Sequence, residues 1–357
     1  MDLEHFIGQV KLNCTISDAR SWGFFSICGL LMRLRELYLN EHSLPPWESG
    51  PMEEITSWIQ ERERLWRDLE SEELHELVVE RVAHDPFDVN GLNTLLKDSG
   101  LIYGSGYGVM GKPTFFVARL AQAREIYDYC VYYAGMELCR DLAAYPAMLQ
   151  GRCIYLRLDV LRTMLWDKFQ TLRSGRYRAA TEEMFRRFGI GKNDTVSGGF
   201  AEGLERMSLG ISDLFVLHEV GEAFEDDYWE EWGGVLHGGF DKNTELYLRG
   251  IKDLLADTSE MGPLKAAIKE KDDCLLTAYA AFLEGIRKEI FPGFIEAFQS
   301  FAGSGDWSLI GNARVAAHEK ARRLRADLVG LWKDGKDAEI AAFLRQSVKE
   351  GFFDTTR

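Results

Sequence analysis

The chain has 357 residues, 46% of them hydrophobic and 12% aromatic, enough to bury one large core or two medium ones. A formal charge of −15 argues against a nucleic-acid or anionic-membrane partner through whole-molecule electrostatics. No stretch approaches ~18 uninterrupted apolar residues, and the start "MDLEHFIGQVKLNC" lacks a charged segment followed by an apolar run, so the expectation is a soluble cytoplasmic protein with no membrane partner.

Helical periodicity dominates in chain order. "SWGFFSICGLLMRLRELYLNEH" reads as a helix that stops at Pro45 and Pro46. "MEEITSWIQERERLWRDLESEELHELVVERVAH" reads as one or two acidic amphipathic helices, and "HDPFDVNGLNTLLKDSG" as a short helix ending at Gly100. The one β signal is "LIYGSGYGVMGKPTFFVARL", two short apolar runs around a glycine-rich connection, which predicts a hairpin over 101–119. Such a hairpin in a helical protein could close over a cavity. Helices are then expected over about 118–142, 154–172, 179–188, 204–227, 245–255, 261–269 and 275–291, with two more at the C-terminus. The predicted fold is mainly α: a compact multi-helix assembly with a small β-hairpin. It is taken as one unit over 1–357, with a subdivision into 1–150 and 151–357 as the alternative.

Gly106, Gly111 and Lys112 meet the G-x-x-x-x-G-K spacing of a phosphate-binding loop. Pro113 stands where that loop needs Ser or Thr, and "TFFVARL" looks like a strand where a helix should follow. Nucleotide binding is therefore not expected here. The six cysteines form no C-x-x-C pair and read mainly as small buried hydrophobes, with a composite site from Cys130, Cys139 and Cys153 as a remote alternative.

The stretch "LHEVGEA" carries the strongest chemical signal. At helical spacing Ile211, Phe215, His218, Glu222 and Glu225 share one face, and the opposite face is apolar. A solvent face has little use for Ile211 and Phe215, so His218 and Glu222 are expected in a buried or cleft position. A buried carboxylate must be paired, hydrogen-bonded or metal-bound. Gly221, beside this face, costs about 1 kcal/mol relative to Ala inside a helix. Close approach of a neighbouring backbone or ligand would compensate.

The zinc-protease pattern H-E-x-x-H would make Glu219 the general base, but Glu222 stands where it needs a second His. Glu219 remains the candidate catalytic carboxylate. A His/carboxylate site suits Fe, Mn or Zn, with His218, Glu222, Glu225 and His237 as candidate ligands and Asp241 and Glu245 behind them. Two further readings stay open: a structural His–carboxylate network, tied for example to the Arg157/Arg162 helix, and a metal-free acid/base pair. His318 lies off its helix's apolar stripe and reads as solvated, as do His42, His75 and His84.

Residues 151–192 hold ten Lys/Arg against four Asp/Glu, whereas residues 193–260 hold four against sixteen. Within the basic stretch Arg173, Arg176 and Arg178 are candidates for a small-anion cofactor site. A small-molecule or protein partner is compatible with these features.

"SWGFFSICGLLMRLRELY", "GKPTFFVARL" and "FVLHEVGEAFED" together resemble an uncharacterised bacterial family of anaerobic sulfate- and metal-reducing bacteria. The resemblance runs over nearly the whole chain. It implies a cytoplasmic single unit and, because that family has no established activity, it transfers no catalytic residue.

Overall fold

The computed structural model describes residues 2–175, 179–225, 229–236 and 238–349. These divide into two compact units, one of residues 1–170 and 196–208, the other of 171–195 and 209–357. The fold is mainly α, with a five-stranded sheet and a small two-stranded one.

The first unit starts with α1 (Leu3–Ser21), α2 (Ile27–Glu41) and α3 (Met52–Leu69). The segment expected as one helix from Ser21 is interrupted, because the Ser26 side chain caps a new start by accepting from the Gly29 N–H. A two-stranded hairpin follows, β1 (Leu77–Val79) and β2 (Val82–His84), where a helix was expected. Its turn places Glu80 and Arg81 at positive φ, as a two-residue hairpin turn requires. Side chains of α1 hold its edge: the Gln9 amide bonds both backbone groups of Val78, at 2.7 and 3.1 Å. Asn13 does the same for His75, at 2.8 Å each.

After α4 (Val89–Leu96) come β3 (Leu101–Tyr107), β4 (Pro113–Ile126), β5 (Tyr129–Arg140), β6 (Ala147–Gln150) and β7 (Cys153–Arg157). Their order in the sheet is β3-β4-β5-β7-β6, all neighbours antiparallel except β5 and β7. The predicted hairpin over 101–119 is thus β3 and the first half of β4. It is no flap: Leu101 to Gly106 and Thr114 to Ala118 are all buried. The helix expected over 118–142 is instead a second hairpin, β4 to β5, turning at Tyr127 with φ 51°. "AQARE" has helix-forming composition but lies on an exposed strand end, and pairing with the Tyr-rich β5 overrides its propensity. The core joins Phe6, Val10 and Cys14 of α1 to the sheet through Tyr103, Phe115 and Val117.

Lys112 is 4% exposed, with its Nζ 3.1 Å from Asp18 and 3.2 Å from Asp141 and donating to Ser17 Oγ at 2.9 Å. Its charge is thus engaged by protein carboxylates. Burial lifts the Asp18 carboxyl to about 6, partly offset by Lys112. Arg157, fully buried, donates to Glu137 at 2.5 Å and lies over the Phe116 ring.

α5 (Leu158–Arg173) follows β7 directly, so the helix expected from 154 begins as a strand. The second unit is helical: α6 (Ala179–Arg187), the end of α7 (Gly198–Gly210), α8 (Ser212–Phe224), α9 (Trp229–Leu236), α10 (Lys242–Thr258), α11 (Pro263–Glu270), α12 (Asp273–Phe282), α13 (Gly285–Ile290), α14 (Pro292–Ser304), α15 (Trp307–Lys333) and α16 (Asp337–Lys349). The segments expected as single helices over 204–227 and 275–291 are each broken in two, at Ile211 and at Leu283–Glu284. No described helix is long and apolar enough to cross a membrane.

Candidate functional site

α8 and α10 touch at glycine. A Cβ on Gly221 would lie 2.2 Å from the Ala256 carbonyl oxygen, and one on Gly262 would lie 2.1 Å from that same atom. Only hydrogen side chains let the two backbones come this close. The expected compensation for a helical glycine is therefore a neighbouring backbone. α8 buries Leu214, Val216, Leu217 and Val220, which leaves His218 and Glu222 at the margin of the contact.

His218 Nδ1 lies 2.8 Å from Asp257 Oδ1. Asp257 is buried and its second oxygen accepts from Arg287 of α13. An ionised carboxylate only accepts, so Nδ1 carries the proton of this bond. The other nitrogen, Nε2, lies 3.9 Å from Asp253 Oδ1 and 4.0 Å from Glu222 Oε2. One donor atom each from His218, Glu222 and Asp253 fall within 4.8 Å of one another. Lys252 Nζ holds the second oxygen of Glu222 at 2.6 Å.

The local charges shift these groups strongly. Burial alone would depress His218, but the Asp257 carboxylate outweighs it and lifts the imidazole to about 9. Burial would likewise raise Asp257, yet Arg287 and His218 hold it below the usual carboxylate range. Glu219, next to His218 in sequence, is raised to about 7 by burial and then by the Glu222 charge. The Tyr279 hydroxyl is buried near Asp257 and Arg287, and burial followed by the Asp257 charge pushes it far up.

Two ligands of one ion, each about 2.1 Å from it, sit roughly 3–4 Å apart. The three donor atoms therefore need less than about 1 Å of side-chain adjustment to share a cation. The donor set, one imidazole and two carboxylates, suits Fe, Mn or Zn.

Of the candidate ligands, the structure brings His218 and Glu222 together. Glu225, at the end of α8, lies instead with His318, whose Nε2 is 3.5 Å away, and with Arg325. His237, Arg176 and Arg178 fall outside the described residues, and Arg173 is exposed. Asp241 caps α10 and Glu245 pairs with Arg249. The neighbouring basic residues Arg186 and Arg187 pair with Glu183, and Arg187 also with Asp273.

His318, expected in solvent, is 16% exposed and its Nδ1 lies 3.0 Å from Thr258 Oγ1. Burial and then Arg322, Arg314 and Arg325 depress it to about 4. His42 is exposed, as expected, with its ring stacked on Tyr38.

Asp253, Asp257, Lys252 and Arg287 were missed by sequence reasoning. The Asp pair repeats the i, i+4 spacing of His218 and Glu222 on a second helix. That echo was the available signal.

Residues 5–157 match the N-terminal domain, and residues 162–350 the C-terminal domain, of a family of unknown function designated DUF6866. No curated protein and no solved structure matches the chain.

Proposed function

The chain belongs to DUF6866, a two-domain family of unknown function, and from its second unit we propose that it is a metal-binding protein taking one divalent transition ion, Fe, Mn or Zn. One observation carries this reading. His218 Nε2 lies between two carboxylates while Asp257 holds Nδ1, so that loss of the Nε2 proton would turn a lone pair towards both of them. A histidine whose second nitrogen donates to a carboxylate is fixed in tautomer and orientation for coordination.

On this reading His218, Glu222 and Asp253 hold the ion, Asp257 orients the imidazole, and Arg287 fixes Asp257. Three protein ligands leave coordination positions open, as catalytic sites do. A bound ion would supply Lewis-acid or redox capacity. Glu219, with a carboxyl near 7, is suited to take up and return a proton at neutral pH. The proposed class is accordingly a metal-dependent hydrolase or oxidoreductase acting on a small molecule. Six free cysteines support a reducing, cytoplasmic setting.

A second reading rests on the raised His218. As a cation it closes an ion network with Asp257 and Arg287 without any metal, tying α8 to α10 and α13. The protein would then be a scaffold or interaction module. Elemental analysis of protein purified without an affinity tag separates the two. Near-stoichiometric metal, lost in a His218→Ala/Glu222→Ala double variant, supports the site. A metal-free wild type of normal stability favours the network.

A further inference from the structure

β5 and β7 run parallel, and their register pairs Cys130 with Cys153. Paired residues on neighbouring strands share a face, with the strands about 4.8 Å apart. That spacing lies inside the Cα separation of a disulfide, about 4.4–6.8 Å. Both thiols are free and partly exposed. The frame around them is fixed: the Cys130 N–H donates to the Arg152 carbonyl at 2.9 Å, and Tyr132 stacks on Tyr155 two residues along. Burial and the adjacent Cys130 hold the Cys153 thiol up. The other near pair, Cys14 and Cys139, is buried. Cys139 thus belongs with Cys14, apart from the composite site considered with Cys130 and Cys153.

We propose that Cys130 and Cys153 form a dithiol redox site, converted reversibly to a cross-strand disulfide by low-molecular-weight disulfides. One cysteine gives its proton to solvent, and its sulfur attacks a sulfur of the incoming RSSR. The S–S bond breaks and RS⁻ leaves. The second cysteine, once deprotonated, attacks the protein sulfur of the mixed disulfide and expels the second RS⁻. Both released thiolates recover protons as RSH, so the protein dithiol is oxidised and RSSR is reduced. Excess dithiothreitol runs the exchange backwards. The thiolate is the nucleophile, and Cys153 is held protonated, so the reaction is slow at neutral pH and accelerates with rising pH.

The test exposes the folded full-length protein to glutathione disulfide, quenches with an alkylating reagent and maps the digest by mass spectrometry. The expected result is a linked Cys130–Cys153 peptide, the loss of two alkylatable thiols and a higher Tm, all reversed by dithiothreitol. In Cys130→Ser the link disappears and Cys153 keeps a glutathione adduct. If Cys130→Ser fails to fold, the wild-type map alone decides. Complete alkylation of both cysteines after prolonged exposure, separate adducts with no link, or a Cys14–Cys139 link instead would overturn the proposal.

Discussion

At the scale of single residues, Asp257 governs the site. Among the described residues it is the one carboxylate hydrogen-bonded to both His218 and Arg287. In metal-stripped Asp257→Asn the His218 ring should titrate well below the wild-type value of about 9, read by NMR of the imidazole. The sign of the stability effect follows. The folded His218 value lies above its ordinary 6.5, so its contribution is complete below pH 6.5 and disappears as pH rises through about 9. Its size is up to about 3 kcal/mol by order of magnitude. The stability gap between wild type and variant, measured by urea denaturation, should therefore narrow across that window. A gap that is constant with pH would rule out a charged His218.

Half of this site was legible in the sequence. His218, Glu222 and Gly221 stood out because helical spacing placed a polar turn on a partly apolar face. Asp257 lies 39 residues away and its meaning depends on which helix packs against α8, which periodicity does not encode. His318 was misjudged for a related reason. A residue off its helix's apolar stripe can still face another element, here Thr258 and the end of α8.

At the scale of elements, the contact between α8 and α10 depends on Gly221. In an ordinary helix Gly→Ala stabilises by about 1 kcal/mol. Here the added Cβ would stand 2.2 Å from a backbone oxygen that cannot swing away. Gly221→Ala should therefore destabilise the protein, by about 1–3 kcal/mol as overpacking typically does, and weaken metal uptake by moving Glu222 and His218 off Asp253. Chemical denaturation checks the first effect; a stabilised variant would contradict the close contact.

Strands were less legible than helices. β1 and β2 carry Leu77, Val79 and Val82 within an acidic, helix-like run; they pair with each other, Leu77 and Val79 pack into the core with α1, and α1 side-chain amides hold Val78 and the neighbouring His75. β5 is rich in Tyr, a composition that suits a strand, yet it lay inside the segment expected as a helix over 118–142.

At the scale of the whole molecule, each unit has its own polar core. In the first unit Lys112 bridges two buried carboxylates, so Lys112→Ala leaves Asp18 and Asp141 without their cation. That should cost about 3–5 kcal/mol, seen as a lower denaturation midpoint, while metal uptake at His218 persists in the protein that remains folded. The glycine-and-lysine spacing at 106–112 looked like a phosphate loop only until Pro113 was weighed, and the buried Lys112 gives that spacing a structural cause.

The central claim is that His218, Glu222 and Asp253 bind one metal ion. Calorimetric titration of metal-stripped full-length protein with Mn²⁺, Fe²⁺ and Zn²⁺ tests it most directly. The account predicts one saturable site per chain, binding that tightens as pH rises towards about 9 because His218 must lose its proton, and loss of that site in Glu222→Ala and Asp253→Ala. No saturable uptake by the wild type, or equal uptake by both variants, would contradict it.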